Sequence, residues 1–297
     1  MNPQRPKRIL LIVFSGTGNT LLIAEMLRDH FREKGAEADI LSIPPKEGRA
    51  VHLDSYDLVG LGYPVYAFNV PLFFLRFVRE LDLRRKEAFI FKTSGEPTTF
   101  NRGSSWALLK LLKRQHCSIL GDYHFLMPYN IIFRFPEGLV KQMYLYARRY
   151  TALAAANVLK GVPSFISFTF LHRLFSFVFR IQRAGAALNG RLYGIRKKRC
   201  TLCLLCLRNC PAKNISLKNN TLQFGFNCQM CMRCSFFCPP DAMITGFLNP
   251  WRVNGAFPFK KLAADKNIAE RFIGEGTRGF YRIFIPYFRE LDRILPE

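Results

Sequence analysis

Two blocks of cysteines restrict this chain more than any other feature. The first reads Cys200-x2-Cys203-x2-Cys206-x3-Cys210-Pro211 and the second Cys228-x2-Cys231-x2-Cys234-x3-Cys238-Pro239. Each cysteine of the second block follows its counterpart in the first by 28 residues, and eight of the nine cysteines fall in this internal repeat. A disulfide framework suits a small secreted chain. In 297 residues with the thiols bunched at such short spacings, metal binding is expected instead. Zinc prefers two separated Cys-x2–4-Cys pairs in a tetrahedral cage. Three thiolates at i, i+3 and i+6 on a tight loop, with a Cys-Pro after a three-residue gap, are suited to three corners of an iron–sulfur cubane.

Residues 200–245 resemble the bacterial two-cluster ferredoxins, in which the fourth cysteine of each block ligates the other cluster. The resemblance implies two [4Fe–4S] clusters. One would take Cys200, Cys203, Cys206 and Cys238, and the other Cys228, Cys231, Cys234 and Cys210. Such crossing ties the halves together, so loss of the clusters is expected to unfold the module. Free ferredoxins of this kind are commonly acidic, whereas Arg208, Lys213, Lys218 and Arg233 make this module basic. The ninth cysteine, Cys117, is expected to be a buried, inert thiol.

The N-terminal part carries a second signal. Residues 8–14 form an apolar run suited to a buried parallel strand. Ser15-Gly16-Thr17-Gly18-Asn19-Thr20 follows, then a helical pattern through Leu22, Ile23, Met26, Leu27 and Phe31. A strand, a loop rich in glycine and hydroxyls, and a helix make a phosphate-binding arrangement. The loop lacks the Lys-Ser/Thr of a Walker sequence and the spacing of the dinucleotide fingerprint. It also has no basic residue, which suits a phosphate monoester held by neutral donors.

Strand-like runs recur at 38–43, 57–62, 87–93 and 118–126, between helix-like runs at about 19–34, 70–81, 104–115 and 137–159. The alternation predicts an α/β fold: a doubly wound, five-stranded parallel sheet, with ligand loops at the C-terminal ends of strands one, three and four. Residues 7–160 resemble a flavodoxin, whose phosphate loop reads closely as SGTGNT. The resemblance implies FMN as cofactor, with its phosphate on Ser15, Gly16, Thr17, Gly18, Asn19 and Thr20. Tyr63, Pro64, Val65 and Tyr66 would line one side of its ring system. Ser94, Gly95 and Glu96 would hold the pyrimidine edge through backbone groups. Over residues 7–245 the chain is similar to flavodoxin–ferredoxin fusion proteins, which implies electron transfer between FMN and two [4Fe–4S] clusters.

Four segments are therefore expected: a flavodoxin-like domain at 1–160, a connecting segment at 161–199, a small α+β ferredoxin-like domain at 200–249, and a tail at 250–297 packing on the core. The connecting segment carries eight arginines and lysines and no acid. Within it, residues 163–183 pattern as a helix with a wide apolar face and a narrow stripe of Thr169, Arg173, Ser176, Arg180 and Arg183. Three readings of this helix stay open: it lies on an anionic membrane, it bridges the two domains with its arginines at the surface, or it docks a partner. The net charge of +23 favours acidic partners, an acidic redox protein above all. No helix-turn-helix or RNA-binding signature accompanies that charge, which argues against nucleic acid. No signal pattern opens the chain, so a cytoplasmic setting is expected, with peripheral contact on the inner face of the membrane as the variant.

Overall fold

The C-terminal ends of five parallel strands create the crevice on which the rest of the molecule is arranged. The computed structural model describes residues 5–43, 51–97 and 99–295. In chain order the first part runs β1 (Arg8–Val13), α1 (Asn19–Glu33), β2 (Glu37–Ser42), β3 (Leu58–Pro64), α2 (Leu72–Glu80), β4 (Glu87–Ser94), α3 (Trp106–Arg114), β5 (Ser118–Leu126) and α4 (Glu137–Lys160). The strands pair in the order β2-β1-β3-β4-β5, all parallel. This is the doubly wound order expected from the alternation, with its switch point between β1 and β3.

Alternation along each strand sorts the side chains into two cores. Ile9, Leu11 and Val13 face α1 and α4, with Ile23, Leu27, Phe31 and Ala154. Leu10, Ile12 and Phe14 face the other way, toward Phe74, Val78, Leu108 and Leu112. Gly62 of β3 is needed for close approach: a Cβ there would lie 2.2 Å from the Phe91 ring. Cys117 joins the second core as a buried thiol, pushed up to about 11 by burial.

Beyond α4 come α5 (Phe170–Val178), a tight 3-10 turn, and α6 (Gln182–Arg191). The cysteine region follows: β6 (Tyr193–Ile195), α7 (Leu205–Arg208), β7 (Ile215–Lys218), β8 (Thr221–Phe224), α8 (Arg233–Phe236) and β9 (Met243–Thr245). β6 pairs antiparallel with β9, and β7 with β8. The β7–β8 turn uses Asn219 and Asn220, both at positive φ, as a two-residue hairpin requires. The tail supplies α9 (Phe259–Ala264) and α10 (Ile285–Ile294). Phe284, Phe288 and Leu291 pack on Leu139, Val140 and Met143 of α4 in a third core. Lys141 Nζ, at the start of α4, donates to the Asp265 and Ile268 carbonyls at 2.7 and 2.8 Å.

The connecting segment packs on the sheet domain through α5. Part of its polar stripe turns inward: Ser176 is buried, its carbonyl accepts from Asn69 Nδ2 at 2.7 Å, and the half-buried Arg173 and Arg180 stand over the Trp106 ring, while Thr169 is exposed. The close approach is made at Gly103, where a Cβ would meet the His172 carbonyl oxygen at 2.5 Å. The arginines are half-buried, Phe175 and Phe179 pack on Phe68, and Phe170, Leu171, Phe177, Val178 and Ile181 stay exposed.

Candidate functional site

A pocket of about 550 Å³ opens at the ends of β1, β3, β4 and β5. Ser15, Gly16, Thr17, Asn19 and Thr20 line it from the β1–α1 loop, Pro64, Val65 and Tyr66 from the end of β3, and Ser94, Gly95 and Glu96 from the end of β4. Gly18 does not line it. It holds the loop from behind, at φ 107°, with its N–H donating to Ser15 Oγ at 3.1 Å. A side chain at that φ is strained. Helix α1 begins at Gly18 with no side-chain cap and no acid in its first turn. Its free N–H groups and positive dipole end thus favour an anion at the loop.

Tyr63 requires a correction. It belongs to β3, is fully buried, and bonds Ser105 Oγ through its hydroxyl at 2.8 Å. The strand runs further than its apolar pattern suggests, so Tyr63 faces α2 and packs on Phe74 instead of lining the pocket. Beside it, Lys92 and Asp122 form a wholly buried ion pair at 3.1 Å, with Lys92 Nζ also donating to Ser105 Oγ at 2.7 Å. These groups form one buried polar network next to β4.

Several polar groups of the loop are already engaged. Thr20 Oγ1 and Thr93 Oγ1 share a buried hydrogen bond at 2.7 Å, and Asn19 Nδ2 donates to the Pro128 carbonyl at 2.8 Å. Ser94 Oγ donates to the Glu96 carbonyl at 2.6 Å, so its contact with His124 Nε2 at 2.7 Å is one in which the imidazole donates. Burial, with the Lys92 charge nearby, holds the His124 pKa down to about 3, which keeps that imidazole neutral.

Other wall residues escaped sequence reasoning: Pro128–Ile132 after β5, Gln182, Arg183, Ala186 and Ala187 of α6, and Phe226–Met230 from the cysteine region. The first group had a signal, a turn-rich Pro-Tyr-Asn after the fifth strand. The others arrive only through long-range packing.

The eight clustered cysteines surround two further cavities. Cys200, Cys203, Cys206 and Cys238 line one, and Cys210, Cys228, Cys231 and Cys234 line the other. The last cysteine of each block has crossed to the opposite group. The repeat persists in the backbone: Leu202, Leu204 and Lys213 have positive φ, as do Met230, Met232 and Asp241 at the equivalent places. Asn214 N–H donates to Cys210 Sγ, and Ala242 N–H to Cys238 Sγ, both at 3.2 Å. Among the described residues no group of three or more His, Cys, Asp or Glu side chains converges on a single metal-ion position. Burial and the neighbouring Cys228 and Cys210 push the Cys231 thiol up to about 12, and Cys234 is raised too.

One cysteine group abuts the pocket. Cys228, Gln229 and Met230 form part of its wall. A Cβ at Gly16 would sit 2.5 Å from Tyr66 Oη and 2.7 Å from the Cys231 carbonyl oxygen, so only glycine admits the two loops this close. Arg233 Nη1 donates to the Ser15 carbonyl at 2.9 Å, tying the cysteine loop to the loop after β1. Tyr66 is caught in this seam, with its buried hydroxyl unpartnered and its pKa raised by burial and by the Cys231 thiol.

No protein-family profile and no curated protein sequence matches the chain. Solved structures match about half of it. Oxidised flavodoxin 1 from Bacillus cereus is 20% identical, with a TM-score of 0.39 over 52% of this chain and 98% of that one. A flavodoxin from the domain Archaea is 14% identical, with a TM-score of 0.38 over 51% and 99%. The rubredoxin oxygen:oxidoreductase of the anaerobe Desulfovibrio gigas is 16% identical, with a TM-score of 0.35 over 52% of this chain and 38% of that one. The fold class itself stands on the strand order and register of this chain.

Proposed function

We propose that this chain is an electron-transfer flavoprotein that holds FMN in the sheet pocket and a [4Fe–4S] cluster within each cysteine group. The observation that carries the reading is the crossed arrangement of cysteines around two cavities, with Cys228 of one group also lining the pocket. Bound there, FMN would exchange two electrons or one, and each cluster one, which is the chemistry that links two-electron and one-electron partners.

The residues present fit these groups. Ser15 Oγ already accepts from Gly18 N–H, which leaves its own proton free for a phosphate oxygen. Thr17 and the open amides at the start of α1 are the other neutral donors. Tyr66, Tyr129 and Met230 are large side chains available to the ring system. A cubane spreads its thiolate ligands over four corners, as groups arranged around a cavity can do, whereas zinc draws them to one centre at about 2.3 Å. The two N–H···Sγ bonds would stabilise bound thiolates. Iron binding must also release the protons that burial otherwise keeps on Cys231 and Cys234.

Cys203 is exposed, and Arg208, also exposed, donates to its carbonyl at 2.8 Å. That basic edge supports the reading that an acidic redox protein meets the chain at the first cysteine group.

Gly18→Val tests the pocket half of the reading. The variant is expected to keep its full iron and sulfide content and to lose FMN. A variant that retains flavin at the normal ratio would show that the loop does not hold the phosphate.

A further inference from the structure

We infer that α5 and α6 form a membrane-binding face that lays the protein on an anionic lipid surface. Phe170, Leu171, Leu174, Phe177, Val178 and Ile181 recur at helical spacing, and every one is exposed, from 44% at Leu174 to 75% at Ile181. Leu188 of α6 and Leu192 just after it are exposed too, at 62% and 50%. Phe247, 74% exposed, stands at that end, with its N–H donating to Asn189 Oδ1 at 2.8 Å. A helix on a protein surface ordinarily turns its apolar side to the core. Here the packed side is mixed: Ser176, the arginines over Trp106, and Phe175 and Phe179 against Phe68. The remaining apolar side chains are left outside, more than that packing covers.

Charge selects the occupant. The segment 161–199 has eight basic residues and no acidic one, within a chain of net charge +23. Arg191, Lys197 and Lys198 are exposed just beyond the stripe. A second copy would set like charge against like charge. A nucleic acid would answer the charge and leave the phenylalanines and leucines uncovered. An anionic leaflet supplies both acyl chains for the stripe and negative headgroups for its flanks. No described helix is long and apolar enough to cross a membrane, so the contact is in the plane of the interface.

The test is flotation of the purified, cofactor-loaded full chain with two kinds of vesicle, phosphatidylcholine alone and phosphatidylcholine mixed with phosphatidylglycerol. The wild type is expected to float with the mixed vesicles, with a partition coefficient at least about tenfold above that for phosphatidylcholine alone. The double variant Leu171→Ser/Ile181→Ser changes two exposed side chains outside both cofactor sites. It is expected to lose about tenfold in binding while its flavin and iron content stay unchanged. No flotation of the wild type, or equal flotation of the variant, overturns the proposal. So does a dimer in solution that the double variant dissolves while vesicle binding is absent, since a second copy would then own the face.

Discussion

The sheet half and the cysteine half of this molecule are held together by different means. Between β1 and α4, two cores of fully buried side chains flank the sheet, and Phe14, Phe31, Phe89 and Phe125 are wholly removed from solvent. The cysteine half has five buried apolar residues in its core, Tyr193, Ile215, Leu222, Phe224 and Met243, and the cysteines themselves complete the cluster. The first region carries a large apolar core of its own. The second buries few apolar side chains, and its clustered cysteines surround two cavities. The difference teaches that one chain can set a large apolar core and a small cysteine-built module side by side, joined at Gly16 and Arg233.

The largest expected effect comes from removing iron. Anaerobic chelation is expected to make residues 193–245 protease-sensitive while the sheet half keeps its own cooperative thermal transition. If both halves keep their transitions, the comparison fails. Next comes Asp122→Ala, which leaves Lys92 buried without its counter-ion. A loss of about 3–5 kcal/mol in the urea unfolding of the sheet half is expected, with iron content retained. A loss near zero would show that the pair does not stabilise the sheet half.

The smallest effect concerns pH. The His124 pKa is held down to about 3 from its ordinary 6.5, so the unfolded chain takes up its proton first as pH falls. Stability from this group is full above about 6.5 and declines toward pH 3, by at most about 1.4 kcal/mol per unit. His124→Asn should flatten that slope in denaturant titrations at neutral and mildly acid pH. An unchanged slope would assign the acid sensitivity elsewhere.

Much of this was legible in the chain. The five strands and four helices of the sheet half follow from apolar runs and helical spacing, because a parallel strand buried on both faces has few alternatives. Tyr63 was misplaced because an aromatic next to Pro64 reads as loop, while β3 in fact carries its buried register to the proline. The connecting helices show the limit more clearly. Periodicity reveals which face of Phe170–Ile181 is apolar, but which face is covered depends on Trp106 and Gly103, some seventy residues earlier in the chain. The pocket wall from Phe226 to Met230 was hidden for the same reason: it is made by packing between distant segments, through the fit of Gly16 against Cys231.

The central claim is that flavin and iron–sulfur sites share this one chain. Anaerobic purification followed by iron, acid-labile sulfide and flavin analysis tests it most directly. About eight irons, about eight sulfides and about one FMN per chain are expected. Zinc in place of iron, or iron without flavin, would contradict it.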